Sequence, residues 1–264
     1  MRNIFSRANR DVLRQFAWSK VLLAFDYDGT LAPIVSKPER AMMRGSTRKL
    51  LEALVKMYPC IVISGRSQRD ALRRLHGVGV HEIVGNHGME PWHTTTELAE
   101  AVAGWRPLLE KGLSGRRGVK VEDKVFSLAV HYRQSREKKE ARAAILSAAA
   151  ALGDVRLIGG KQVINILPHG APHKGIALDR ERARLKCDTA IYVGDDETDE
   201  DVFALDQPGQ LLSIRVGRYR PSAAAYYIES QRDIDTLLST LIELRRQGGV
   251  AEPPWGGREL VVEQ

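Results

Sequence analysis

Short runs of consecutive apolar residues recur along the chain, each closing on a glycine or a polar residue. Leu22–Phe25, Cys60–Ile63, Ile83-Val84, Thr189–Val193 and Leu211–Val216 have this form. Unbroken apolar runs bounded by turn signals predict strands buried on both faces. Between them the apolar positions take helical spacing over Thr47–Met57, Gln68–Leu75, Ile176–Leu185 and Ile234–Arg246, with one further helical turn over Asp201–Leu205. Strand and helix in alternation predict an α/β fold with a doubly wound parallel sheet. Ligands of such sheets sit beyond the carboxyl ends of the strands. Asp26, Ser64, Asn86 and Asp195 all come just after apolar runs, so the pattern puts four distant polar residues on one rim.

The middle of the chain follows another rhythm. A helix around Leu98–Leu109 leads to strand candidates at Lys120–Lys124 and Phe126–Tyr132, an Ala-rich helix over Glu137–Leu152, and strands at Val155–Ile158 and Gln162–Leu167. Apolar and polar residues alternate in these strands, as in a sheet with one face buried. The expected organisation is a core made of residues 1–96 and 168–264 and a smaller α/β insert at 97–167. No internal repeat is visible. The last stretch, 247–264, is rich in Gly and Pro and is expected to be an irregular tail, with Trp255 as a possible anchor.

Composition changes this picture little. The 264 residues are 43% hydrophobic and 28% charged, ordinary for a globular protein. No apolar run has the length of a membrane span. The first twenty residues carry Arg2, Arg7, Arg10 and Arg14 without a hydrophobic signal segment, and are expected to form a helix packed on the first strand. Cys60 and Cys187 have neither disulfide nor metal spacing; buried, reduced thiols suit a cytoplasmic protein. The net charge of +7 is scattered, and its densest tract, Arg133–Lys139, runs into a helical pattern. That argues for a solvated face and against nucleic acid as a partner.

The chemistry begins at Asp26-Tyr27-Asp28-Gly29-Thr30. Two carboxylates at a strand end repel each other, and buried charge needs a partner. A cation with a taste for oxygen ligands, Mg²⁺ above all, is the natural one. Ser64-Gly65-Arg66 closes the second strand with a hydroxyl fit for a phosphoryl oxygen, a glycine that admits close backbone approach, and a cation. Lys174 opens a helix, where positive charge is unfavourable, and so points to an anion nearby. Gly194–Asp201 places six acids in eight residues, more than can be buried unpaired.

Together these segments resemble the haloacid dehalogenase-like phosphatases and their DxDGT signature. Gly194-Asp195-Asp196-Glu197-Thr198-Asp199-Glu200, Gly85-Asn86-His87-Gly88, Val121-Glu122-Asp123-Lys124 and His131-Tyr132-Arg133 are similar to the motifs of the trehalose-6-phosphate phosphatases, in order, over about residues 18–230. The resemblance implies a Rossmann-like core with an inserted cap. It implies Asp26 as nucleophile, Asp28 as general acid/base, and Ser64 and Lys174 as phosphate ligands. Asp26, Asp28, Asp195 and Asp196 would hold Mg²⁺; Asp196 and Asp199 would carry metal waters or orient Lys174, roles the sequence leaves unseparated. Arg66, Asn86, His87, Glu122, Lys124, His131, Arg133 and Glu200 would meet the sugar. The implied reaction is hydrolysis of trehalose 6-phosphate by a monomer or small homo-oligomer. Asn165 departs from the family, which usually has an acid there; this puts a phosphatase for sucrose phosphate or a glycosyl- or mannosylglycerate phosphate next in line. A non-catalytic basic binding protein is the reading of another class, opposed by the full set of acids, hydroxyl and lysine.

Overall fold

The computed structural model describes residues 1–205 and 207–248. The expectations for an irregular tail and for Trp255 fall on residues outside the described ones. Strands β1 (Arg2–Asn3), β2 (Val21–Phe25), β3 (Cys60–Ile63), β4 (Glu82–Val84), β9 (Thr189–Gly194), β10 (Leu211–Val216) and β11 (Tyr226–Ile228) form a sheet in the order β1-β11-β10-β9-β2-β3-β4. Every pairing in it is parallel.

The apolar runs supply both faces of this sheet because successive side chains point oppositely. Val21, Leu23 and Phe25 enter one core with residues of α1 (Arg10–Trp18), α2 (Gly45–Leu54), α3 (Gln68–Leu75) and α8 (Ile234–Gln247). Leu22 and Ala24 enter the other with α6 (Lys174–Arg184) and α7 (Glu200–Phe203). α1 is the helix expected near the amino terminus, with Leu13 and Ala17 buried. β1 and β11 escape a reading by periodicity because runs of two and three residues hold no period.

A second sheet is antiparallel, in the order β5-β6-β8-β7, from β5 (Lys120–Asp123), β6 (Leu128–His131), β7 (Val155–Gly160) and β8 (Val163–Pro168). Leu128, Val130, Ile164 and Ile166 pack on Val102 and Leu109 of α4 (Thr96–Gly112) and on Ala141, Ile145 and Ala149 of α5 (Lys138–Ala150). The alternate positions, Val163 and Asn165 among them, line a cavity on the side of the parallel sheet's carboxyl rim.

One joint between the two sheets is a buried amide. Asn86 Nδ2 donates to Glu90 Oε2 at 2.9 Å and to the Lys124 carbonyl at 3.1 Å, while Ser127 Oγ donates to Asn86 Oδ1 at 2.7 Å. Asn86 and Ser127 are fully buried. A buried acceptor that loses its donor forfeits its solvation without compensation. Ser127→Ala is therefore expected to lower the unfolding free energy by about 1–3 kcal/mol, read from urea denaturation; an unchanged midpoint would mean the amide is not a structural joint.

Candidate active site

The rim is built where strands stop. After β2 the chain turns sharply: Gly29 N donates to the Ala32 carbonyl at 2.7 Å and Ala32 N to the Tyr27 carbonyl at 2.8 Å. Gly29 has φ +90°, and a Cβ there would lie 2.1 Å from Asp195 Oδ2. Glycine is required by conformation and by space, and its absence of side chain lets the segment after β9 approach Asp26. Asp28 faces another way. Arg66 clamps it through two bonds of 2.6 Å, and also donates to Asp70 Oδ2 at 2.6 Å and to the Pro38 carbonyl at 2.8 Å.

The acid-rich stretch after β9 is only partly a solvated loop. It folds through a short 3-10 turn that carries Asp199 back beneath the backbone. Asp199 Oδ2 accepts from the amides of Asp195 (2.8 Å) and Asp196 (2.9 Å). Its Oδ1 accepts from Lys174 Nζ (2.8 Å) and Tyr192 Oη (2.7 Å). Lys174 Nζ also donates to Asp26 Oδ1 at 2.8 Å. Lys174 is 1% exposed and Asp199 fully buried. Asp196 caps the turn, its side chain accepting from the Asp199 amide.

Burial raises the pKa of Asp26 well above the carboxylate range, with Lys174 opposing and Asp199 and Asp195 adding to the rise. Burial likewise brings Asp195 up to about 7 against the pull of Lys161. Burial works against charge on Asp199 too, but Lys174 and two donors outweigh it and hold the pKa low. Burial disfavours the ammonium of Lys174, yet Asp199 and Asp26 prevail and its pKa rises.

Oxygens of Asp26, Asp195 and Asp199 lie within 4.8 Å of one another. Asp195 Oδ1 is buried and has no hydrogen-bond partner among the described residues. Three clustered carboxylates with an unused buried oxygen suit a hard divalent cation. Of the four acids the family resemblance assigns to metal, the structure groups Asp26 and Asp195 and adds Asp199. It turns Asp28 to Arg66 and Asp196 to the turn's own amide.

A cavity of about 160 Å³ lies between the rim and the polar face of the second sheet. Asp26, Asp28, Arg66, His87 and Lys174 line it from the rim; Glu122, Lys124, His131, Arg133 and Asn165 line it from the opposite side. Glu122 Oε2 lies 2.7 Å from His131 Nε2. Burial opposes charge on Glu122, yet His131 and Lys124 bring its pKa to about 2. Lys124 Nζ donates to the Gly65 carbonyl at 2.8 Å and to Asn165 Oδ1 at 3.3 Å. Arg133 reaches the carbonyls of Val35 (2.6 Å) and Lys161 (2.9 Å).

Other expected ligands stand apart from this lining. Asn86 serves the joint between the sheets. Glu200 binds Arg215 at 2.6 Å and the Ala223 amide at 2.9 Å. Ser64 is buried, its hydroxyl accepting from the Arg66 amide at 3.2 Å. Sequence reasoning missed Tyr192, whose hydroxyl is the polar exception in an apolar strand, and Lys161, which contacts Asp195 Oδ2. The pair Gly159-Gly160 just before Lys161 is the available signal, since it marks a tight hairpin tip.

The trehalose-phosphatase family model matches residues 24–231, most of the chain. This chain belongs to the trehalose-phosphatase family. A rice relative, probable trehalose-phosphate phosphatase 4, is 30% identical over 251 residues, covering 86% of this chain and 67% of its own length. The C-terminal domain of C. albicans trehalose-6-phosphate phosphatase superposes with TM-score 0.75 at 22% identity, covering 89% of this chain and 98% of that one. Sucrose-phosphatase from Synechocystis sp. PCC6803 superposes with TM-score 0.55 at 16% identity, over 86% and 98% of the two chains. The fold is thus that of the haloacid dehalogenase-like phosphatases, and the chain is an enzyme of the trehalose-phosphatase class. No helix among the described residues is long and apolar enough to cross a membrane.

His87, beside this family's phosphatase site, carries a pH dependence of its own. Its residue is 4% exposed, and the polar side chain nearest its ring is Asn165, which pulls weakly toward protonation. Burial, with Lys124 and Lys174 adding, holds its pKa well below 6.5. The unfolded chain protonates the imidazole near that ordinary value and the folded one does not. The resulting stability is complete above pH 6.5 and is lost as pH falls toward the folded value. Urea midpoints should therefore fall between pH 7 and pH 5 by less in His87→Asn than in the wild type, in proportions set by linkage; equal falls would refute the assignment.

Proposed function

We propose that this chain hydrolyses trehalose 6-phosphate to trehalose and inorganic phosphate, with Mg²⁺, through an aspartyl-phosphate on Asp26. The observation that carries the reading is the meeting of Asp26 with Lys174 at 2.8 Å beside Asp195 and Asp199, at the mouth of a cavity walled by polar side chains. Mg²⁺ held by Asp26 and Asp195, with Asp199 close by but engaged by Lys174, Tyr192 and two amides, would supply positive charge to offset that of the carboxylates and the phosphate.

An Asp26 carboxylate oxygen attacks phosphorus, forming the new P–O bond as the bond to the sugar oxygen breaks. Asp28, two residues on, gives its proton to the departing sugar oxygen. It then takes a proton from the water that attacks the aspartyl-phosphate, releasing phosphate and restoring Asp26. Lys174 faces charge that spreads over the equatorial oxygens in a loose transition state, and Ser64, behind the cavity wall at the end of β3, would donate its hydroxyl hydrogen to the same group. Arg66, held between Asp28 and Asp70, orients Asp28.

The second sheet acts as the cap. Glu122, Lys124, His131 and Arg133, with His87 opposite, offer donors and acceptors to sugar hydroxyls, and Asn86 and Glu200 brace the walls. Residues 97–167 are the unit that closes over the substrate and excludes bulk water. Asn165 favours a second reading. As an amide it leaves Lys124 bonded, among the described residues, to a carbonyl and an amide but to no carboxylate, so the ammonium could meet the carboxylate of a glycosyl- or mannosylglycerate phosphate. The buried thiols Cys60 and Cys187 fit a cytoplasmic setting, and a small-molecule sugar phosphate suffices as partner.

Phosphate release from trehalose 6-phosphate, sucrose 6-phosphate, glucose 6-phosphate and a glycerate-linked sugar phosphate, with Mg²⁺ and with EDTA, tests the reading. Metal-dependent turnover of trehalose 6-phosphate above the rest is expected; preference for another member moves the substrate and keeps the chemistry. Asp26→Asn should cut kcat by about a thousandfold or more, as loss of a nucleophile does. Retention of substantial activity in that variant would exclude the covalent route.

A further inference from the structure

The β7–β8 hairpin turns at Lys161 and Gln162, the latter at φ +65°. Its tip is pressed into the acid-rich turn of the core. A Cβ on Gly159 would lie 2.6 Å from Glu197 Oε2, and one on Gly160 3.1 Å from Asp196 Oδ2. The two glycines let the tip approach without moving the Glu197 and Asp196 side chains. Arg133 fixes the tip from below, bonding the Lys161 carbonyl at 2.9 Å and the Val35 carbonyl at 2.6 Å. From this fixed backbone the Lys161 ammonium reaches across to Asp195 Oδ2. Asp195 Oδ1, buried beside it, has no partner among the described residues.

We propose that Lys161 is an intramolecular counter-cation of the metal site, displaced from Asp195 when a divalent cation binds there. The proposal rests on reading Asp26 and Asp195 as the metal-holding pair. Two cations at one carboxylate repel strongly where little water screens them. The two lysines of the site differ in how readily they give way. Lys174 is sealed in and bonds Asp26 and Asp199. The Lys161 side chain is 50% exposed, so its ammonium regains solvent on leaving. Its flexible stem lets it leave without moving the strands.

Competition of this kind is reciprocal. Whatever the Lys161–Asp195 contact contributes to holding the tip down, the entering cation must overcome. The fraction of molecules with Asp195 disengaged sets the apparent metal affinity. The insert and its tip would remain attached through Arg133, Lys124 and the Asn86 joint, so release is confined to the Lys161 side chain.

Calorimetric titration of the wild type and Lys161→Met with Mg²⁺ alone tests this. The variant is expected to bind about three- to tenfold more tightly, as removal of a competing internal ligand requires. A second measurement is acetylation of lysine amines in the wild-type protein, read by mass spectrometry. Modification of Lys161 relative to the exposed Lys139 should rise several-fold on saturation with Mg²⁺. Equal or weaker binding by the variant, or Lys161 reactivity indifferent to Mg²⁺, overturns the proposal. If both proteins bind Mg²⁺ equally, the role of Lys161 alone falls; if neither binds it, the metal reading falls with it.

Discussion

The ammonium of Lys174 between Asp26 and Asp199 is the interaction on which the site depends. Three carboxylates crowd the ends of β2 and β9 with almost no access to water. Charge in such a place is tolerated only when paired and hydrogen-bonded. Lys174 pairs two of them at once, and Tyr192 and two backbone amides complete the coordination of Asp199. The cost of placing a lysine at a helix amino terminus is thereby offset by its counter-ions. Asp195 has one oxygen on Lys161 and one, packed against Gly29, without a hydrogen-bond partner among the described residues.

The parallel sheet makes this crowding possible. β2 lies between β9 and β3, so the chain leaves β2 toward one edge and later returns through β9 to the other. The crevice at that reversal is where loops diverge and a ligand finds room. Asp26 and Asp195 sit on its two sides. The antiparallel sheet then faces the crevice with the polar half of its alternation while its apolar half is sealed by α4 and α5. Charged residues such as Glu122 and Lys124 thus meet the site only because the opposite face of their strands has a core to bury.

Much of this was legible in the chain. The unbroken apolar runs determined which strands are buried on both faces, and the polar residues just after them determined the rim. The change of rhythm between residues 97 and 167 set the second sheet apart. The motif at Asp26–Thr30 and the acids of 194–201 carried the chemistry and the family. Very short strands such as β1, at the sheet edge, and β11, beside it, were not legible, because their placement depends on neighbours and not on any period of their own.

Only the tertiary structure decided which acids share a centre. Asp28 and Asp196 stand next to the right residues in sequence, but a side chain's partner is set by where the backbone turns. The turn after Phe25 points Asp28 toward Arg66, and the 3-10 turn after Asp196 folds Asp199 inward onto Lys174, one of the two roles its sequence left open. Lys161 lies 34 residues from Asp195 along the chain, and no spacing rule links them. Sequence determines what is buried because burial follows from local pattern. Contact between distant charged groups follows from how whole sheets face each other, and that belongs to the fold.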